Sequence, residues 1–188
     1  EAMAEFQVTV EGARRDLPKP FFVVATQNPE DQIGTYALPE SQMDRFLMRI
    51  SMGYPDALSE KKLLSGEFNF KQRLDTARSV MKTEEVLGLQ QLAQEVKVPE
   101  SLIDYIQRLL IFTREERAYV CGISPRGGLA LIQAVKAWAL LEGRRHAIPE
   151  DIQFLVPCVW AHRLTSKDGK YTQAQLVQHL LNSVPVVV

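Results

Sequence analysis

The pattern of apolar and polar positions changes character once along the chain. Before about residue 55, apolar residues alternate with polar ones or run continuously; beyond it they recur every three or four positions. Glu1 to Glu5 has helical composition and reads as the end of a helix. Phe6, Val8 and Val10 alternate with Gln7 and Thr9, Glu11-Gly12 supplies a turn, and a return leg closes at Pro18, which predicts a β-hairpin. Phe21 to Ala25 is continuously apolar and rich in β-formers, the pattern of a strand covered on both faces of a parallel sheet. "ALPESQMDRF" predicts a short helix opened by Pro39, and "FLMRISMGYP" another strand, stopped by Gly53 and Pro55.

From Asp56 onward the periodic stretches are helical. Asp56 is placed to cap a helix running to about Gly66, whereas residues 67–81 show no clean period and read as a connecting segment. Thr83 is the expected cap of "EEVLGLQQLAQEV", with acids in the first turn where the helix dipole favours them. Pro99-Glu100 opens a helix whose Leu102, Ile103, Ile106, Leu109 and Leu110 form one apolar stripe. Ser124 caps the next, with proline at the first helical position and Gly143 at the stop. Pro149-Glu150-Asp151 opens the helix carrying Ile152, Leu155, Val156 and Val159, and "TQAQLVQHLLNSV" closes the chain. The expected division is an α/β part over 1–55, a connecting helix and linker over 56–81, and a helical domain over 82–188.

Composition narrows the classes. Twenty-two basic residues against 23 acidic ones give a formal net charge of -1, so no global field draws nucleic acid or an anionic membrane, and neither is expected as a partner. No apolar run approaches the roughly 20 residues that span a bilayer, so membrane insertion is not expected. Cys121 and Cys158 show no CxxC spacing, which argues against a zinc site or disulfide framework and for reduced thiols in a cytoplasmic protein. His146, His162 and His179 lack metal-ligand spacing and read as surface or helix-end residues; Trp138 and Trp160 read as core. Arg144-Arg145-His146 makes a poor nucleic-acid footprint.

Candidate chemistry gathers in "FFVVATQNPEDQIGTYALPESQMDRF". In open parallel sheets, functional groups collect where strands end at their carboxyl edge. Asn28 lies there, and an amide offers a donor and an acceptor together, enough to bond a phosphate oxygen and a water. Taken alone, Asn28-Pro29 reads equally as a turn. Arg45 follows the short helix; its planar fork suits either a salt bridge to Asp44 or Glu40, or the phosphate of a neighbouring subunit. Arg126 falls in the first turn of the helix capped by Ser124, where backbone amides and the dipole favour an anion, although a plain surface residue is the other reading.

Together "EAM-E-QVTV-G", "FFVVATQNP", "GTYALPESQMDRFL" and "ISMGYP" resemble the second half of the ATPase module in MoxR-type AAA+ ATPases. "GISPRGGLALIQAVKAWALLEGR" with "IPEDIQFLVPCVWAHRL" resembles the lid domain of the same family. The resemblance covers residues 1–60 and 117–165 closely and the span between loosely. It implies a partial AAA+ core with parallel strands and a β-hairpin insertion, followed by an all-α lid. It further implies that Asn28 is sensor 1, Arg45 the arginine finger completing an adjacent subunit's site, and Arg126 sensor 2 on the nucleotide of its own chain. Arg14 and Arg15, near the hairpin tip, become candidate contacts to a client or to the pore. ATP and Mg2+ are the implied cofactors of the parent protein. Implied with them are a homo-oligomeric, hexameric ring, a client protein, and a partner with a von Willebrand factor A domain. A magnesium-chelatase-like or helicase-like AAA+ branch, and a non-enzymatic helical interaction domain, are the alternative readings.

The phosphate-gripping half of such a site is missing from these residues. Gly169-Lys170 is followed by Tyr171 with no glycine five positions before it, and no expected strand ends in Asp-Glu. The expectation is therefore that these 188 residues alone bind neither ATP nor Mg2+ tightly and do not hydrolyse ATP, while the parent does.

Overall fold

The computed structural model describes residues 2–27, 39–67 and 69–186. After a short helix α1 (Ala2–Glu5), strands β1 (Gln7–Val10) and β2 (Ala13–Asp16) pair antiparallel with Val10 opposite Ala13. Glu11 and Gly12 both take positive φ, 52° and 78°, the geometry of a two-residue turn whose twist matches the strands. The hairpin is where the alternation placed it.

The two expected parallel strands are not assigned. Residues 21–25 and 47–55 carry no ladder, and the only sheet among the described residues is the hairpin. Phe22 and Val24 are exposed, contrary to the covered strand expected there. A strand exists through its hydrogen-bonded neighbour, and no described strand pairs with either stretch.

Helix α2 (Glu40–Met43) starts after Pro39, and α3 (Ala57–Leu64) is capped by Asp56, whose carboxylate accepts from the amides of Leu58 and Ser59 at 3.0 and 2.9 Å. Those hydrogen bonds, the Ser59 amide foremost, hold the Asp56 carboxyl below its usual range. The supposed linker contains a helix of its own, α4 (Phe70–Thr76), started by the Asn69 side chain accepting from the Gln72 amide at 3.0 Å. Helix α5 (Thr83–Glu95) begins one residue earlier than expected: Lys82, not Thr83, is the N-cap, and Glu85 reaches back to the Lys82 amide at 2.6 Å.

The helical domain is the packed part of the chain. Helix α6 (Glu100–Glu115) buries Leu102, Tyr105, Ile106, Leu109 and Thr113, one face at helical spacing; Ile103, assigned to that stripe, is exposed instead. Helix α7 (Pro125–Leu141) lies against α8 (Pro149–Trp160), which continues into a 3₁₀ turn (Ala161–Arg163), and α9 (Gln173–Ser183) closes the bundle. Ile152, Leu155, Val156 and Val159 are all buried, each stabilising the fold by roughly 1.5–3 kcal/mol of apolar transfer. Trp160 is fully buried and donates its indole N–H to the Gly127 carbonyl at 2.9 Å. Trp138 is half-buried at the edge of the core, packed against it and stacked on the exposed Phe154 with ring centroids 4.7 Å apart. No helix among the described residues is long and apolar enough to cross a membrane.

Candidate functional site at the α2–lid junction

The segment after α2 is tied to the helical domain by one buried guanidinium. Arg163 ends the 3₁₀ turn, and its side chain is 4% exposed. Its Nε donates to Asp44 Oδ1 at 2.7 Å, and its Nη2 donates to the carbonyls of Asp44 and Phe46 at 3.0 and 2.6 Å. Nη1 reaches the carbonyls of Leu47, at 3.4 Å, and Val159. The second carboxylate oxygen of Asp44 accepts from Ser124 Oγ at 2.9 Å, and Ser124 Oγ in turn accepts from the Gly127 amide at 3.1 Å. One carboxylate thus joins the end of α2, the end of α8 and the cap of α7. The Arg49 amide donates to the Cys158 carbonyl at 2.8 Å, and its guanidinium to Gln173 Oε1 at 2.7 Å, extending the same seam.

Gly127 is required by this packing. A Cβ there would stand 2.7 Å from Ile123 Cγ2 and 3.2 Å from Arg163 Cδ, so any side chain pushes the α7 terminus off the arginine.

His162 sits at the helix end, one of the two placements expected for it, but is buried there beside Arg163 and not on the surface. Its Nε2 lies 2.8 Å from Arg163 Nη1, and its Nδ1 is buried without a hydrogen-bond partner among the described residues. Burial first, then the Arg163 and Arg49 charges, push the imidazole down from 6.5 to about 4, against the opposing pull of the Phe46 carbonyl and Asp44. The ring is held neutral.

The residues singled out in the sequence are placed as follows. Arg45 is exposed, and its guanidinium has no partner among the described residues. Neither salt bridge offered to it forms: Asp44 is taken by Arg163 and Ser124, and Glu40 accepts from Thr165 Oγ1 at 3.3 Å. Arg126, at the second position of α7, is exposed and likewise unpaired among the described residues. The backbone contributes less to an anion site there than expected. Pro125 has no N–H, the Gly127 amide is used by Ser124 Oγ and the Gly128 amide by the Ser124 carbonyl at 3.1 Å, which leaves the amide of Arg126 itself. Anion affinity at this point rests on the guanidinium.

The Asp44–Ser124 hydrogen bond brings the Arg45 and Arg126 segments to one junction, each arginine one or two residues from the bond. Asn28 lies outside the described residues. Arg14 and Arg15 sit on β2, exposed and on opposite faces of the hairpin, with Arg14 Nε 3.7 Å from Asp16. Arg144, considered for nucleic acid, is consumed by a bidentate pair with the buried Asp151 at 2.8 and 2.6 Å. His146 is exposed, and the His179 ring leans on Phe112 at 5.6 Å.

Sequence reasoning missed Asp44, Ser124 and Arg163 as a unit. Ser124 was visible only as a cap, Asp44 only as a possible partner of Arg45, and Arg163 only as a cation at a helix end. Arg163 and Asp44 are 119 positions apart, and nothing local announces their meeting.

Comparison with known proteins accords with this arrangement. Residues 111–180 match the AAA lid domain model, and residues 1–48 match the model described as ATPase family associated with various cellular activities (AAA). The chain is 40% identical over 192 residues to the uncharacterized protein YeaC of Bacillus subtilis (strain 168), covering all of this chain and 60% of that protein. It is 36% identical over 173 residues to the chaperone MoxR1 of Mycobacterium tuberculosis, covering 87% of this chain and 45% of that one. The crystal structure of a Cytophaga hutchinsonii protein assigned as an ATPase superposes with a TM-score of 0.85 at 31% identity, over 100% of this chain and 60% of that one. The chain thus spans about half to three-fifths of the proteins it matches.

Proposed function

The chain belongs to the MoxR-type AAA+ ATPases, and from that premise we propose that it supplies the trans-acting arginine and the lid of a ring-forming motor. In this reading, ATP binding and hydrolysis drive chaperone-like remodelling or maturation of a client protein. The observation that carries the proposal is the pair of guanidinium groups, Arg45 and Arg126, unpartnered among the described residues and brought to one junction by the Asp44–Ser124 hydrogen bond.

These residues fit a polyphosphate. Arg45 and Arg126 are charged, exposed donors that no carboxylate among the described residues engages, and a planar fork matches phosphate oxygens two at a time. They do not fit Mg2+: among the described residues no group of three His, Cys, Asp or Glu is placed to hold a metal. In this reading the metal ion and the inner phosphates are left to residues other than these, because the sequence holds no Gly-Lys-Ser/Thr loop. ATP, when bound, supplies a γ-phosphoryl group whose transition state spreads charge over its equatorial oxygens. Arg45 extends from its clamped segment to neutralise that charge on a neighbouring subunit. Arg126 contacts the nucleotide from the first turn of the lid helix, and Asn28 orients the attacking water. Arg14 and Arg15 offer the hairpin to the client. A hexameric ring, a cytoplasmic location and a partner with a von Willebrand factor A domain belong to the same proposal, as does the inactivity of these 188 residues alone.

The test is Arg45→Ala in the full-length protein. Turnover is expected to fall by about 10³–10⁵ with nucleotide affinity retained, the usual loss for an arginine finger. Turnover at the unmodified rate contradicts the proposal.

A further inference from the structure

We propose that Arg163 is a positioning residue for Arg45, clamping the backbone on both sides of it from the end of the lid helix. The inference rests on the reading of Arg45 given above.

Arg163 holds carbonyls on both sides of Arg45. Its Nη2 donates to the carbonyls of Asp44 and Phe46, the residues immediately before and after Arg45. Nε meanwhile holds the Asp44 carboxylate, and Nη1 reaches the Leu47 carbonyl. A planar guanidinium has five donors in a fixed fork, so the peptide unit that leads into Arg45 and the one that follows Phe46 are held by one rigid group. The clamp is 4% exposed, out of competition with water, while Arg45 itself is exposed and free among the described residues. A buried fork holds the backbone, and the side chain it frames projects unpaired.

The clamp is also anchored on the lid. Val159 offers its carbonyl to Nη1, His162 Nε2 lies 2.8 Å from Nη1, and Gly127 leaves room for the arginine stem against α7. Through Ser124 the same carboxylate fixes the cap of the helix that carries Arg126. A displacement of the lid is therefore transmitted to the backbone on either side of Arg45, at the Asp44 and Phe46 carbonyls.

The experiment is a double-mutant cycle in the full-length protein, reading kcat and KM for ATP, ring assembly and thermal unfolding. Arg163→Gln and Asp44→Asn are each expected to lower kcat by about 10–100-fold with KM little changed, the scale of a misplaced catalytic group. In an Arg45→Ala background, either substitution is expected to cost less than about twofold more, because a group that acts through Arg45 has nothing left to position. Arg163→Lys, which keeps the charge and loses the fork, is expected to stay impaired. Fold-changes that multiply in the double variants, or full turnover in Arg163→Lys, overturn the clamp. Severe loss in Arg45→Ala with normal turnover in both Arg163→Gln and Asp44→Asn also overturns it and leaves the reading of Arg45 standing. Normal turnover in Arg45→Ala removes that underlying reading instead. If Arg163→Gln does not assemble, Asp44→Asn decides, since it preserves side-chain size at a position 25% exposed.

Discussion

Residues 96–186 and the residues before them hold their structure by different means. The later region buries Trp160, Tyr105, Leu109, Leu131 and their neighbours in one cluster; among the described residues before Val96, Gln7 alone is buried. Helices α3 and α4 bury nothing, and their order comes from the Asp56 and Asn69 side-chain caps. A helix of seven or eight residues is marginal in water on caps alone. The contrast teaches where position is fixed. The later region has a hydrophobic core, and the segment bearing Arg45, with no buried residue of its own, is held against it through Arg163 and Arg49.

The largest effect that sharpens this contrast is expected from Trp160→Ala. It removes a fully buried ring and the bond to the Gly127 carbonyl, and should cost about 3–5 kcal/mol in a denaturant titration of the lid. Leu74→Ala on the exposed α4 is its control, expected within about 0.5 kcal/mol of the unmodified chain. Similar losses at both positions would break the distinction between the regions.

A smaller effect is expected from pH. Between 6.5 and about 4 the unfolded chain protonates His162 while the folded lid does not, so acidification through that window favours unfolding. The expected weakening is of order 1–3 kcal/mol, complete near pH 4, with a plateau in this contribution below. His162→Gln should lose that slope, measured by chemical denaturation at several pH values; an unchanged slope would mean that the imidazole is not held neutral.

Much of the later region was legible because its signals are local. Ser124, the Pro149 start and the stop before Gly143 each act within a turn of the residues they control, and the structure places helix ends there. The hairpin was legible for the same reason, through Glu11-Gly12 and the alternation around it. The short α4 was missed because its only signal is one asparagine ahead of seven residues, too few to show a period. The parallel strands expected at 21–25 and 46–53 depend on neighbours that the described residues do not supply. The junction was illegible on principle: Asp44 meets Ser124 and Arg163 across 80 and 119 positions, and only the fold brings them together. His162 and Arg144 show the same limit, since burial beside Arg163 and pairing with Asp151 turned apparent surface residues into structural ones.

The most direct test of the central claim is a mixing assay with full-length protein. Subunits carrying Arg45→Ala are combined with subunits whose phosphate-binding lysine has been replaced, each inactive alone, and ATP turnover is followed across mixing ratios. If Arg45 acts on a neighbour's nucleotide, mixed rings pair an intact arginine with an intact phosphate site, and turnover reappears. Mixed rings that assemble and stay inactive at every ratio would contradict the account.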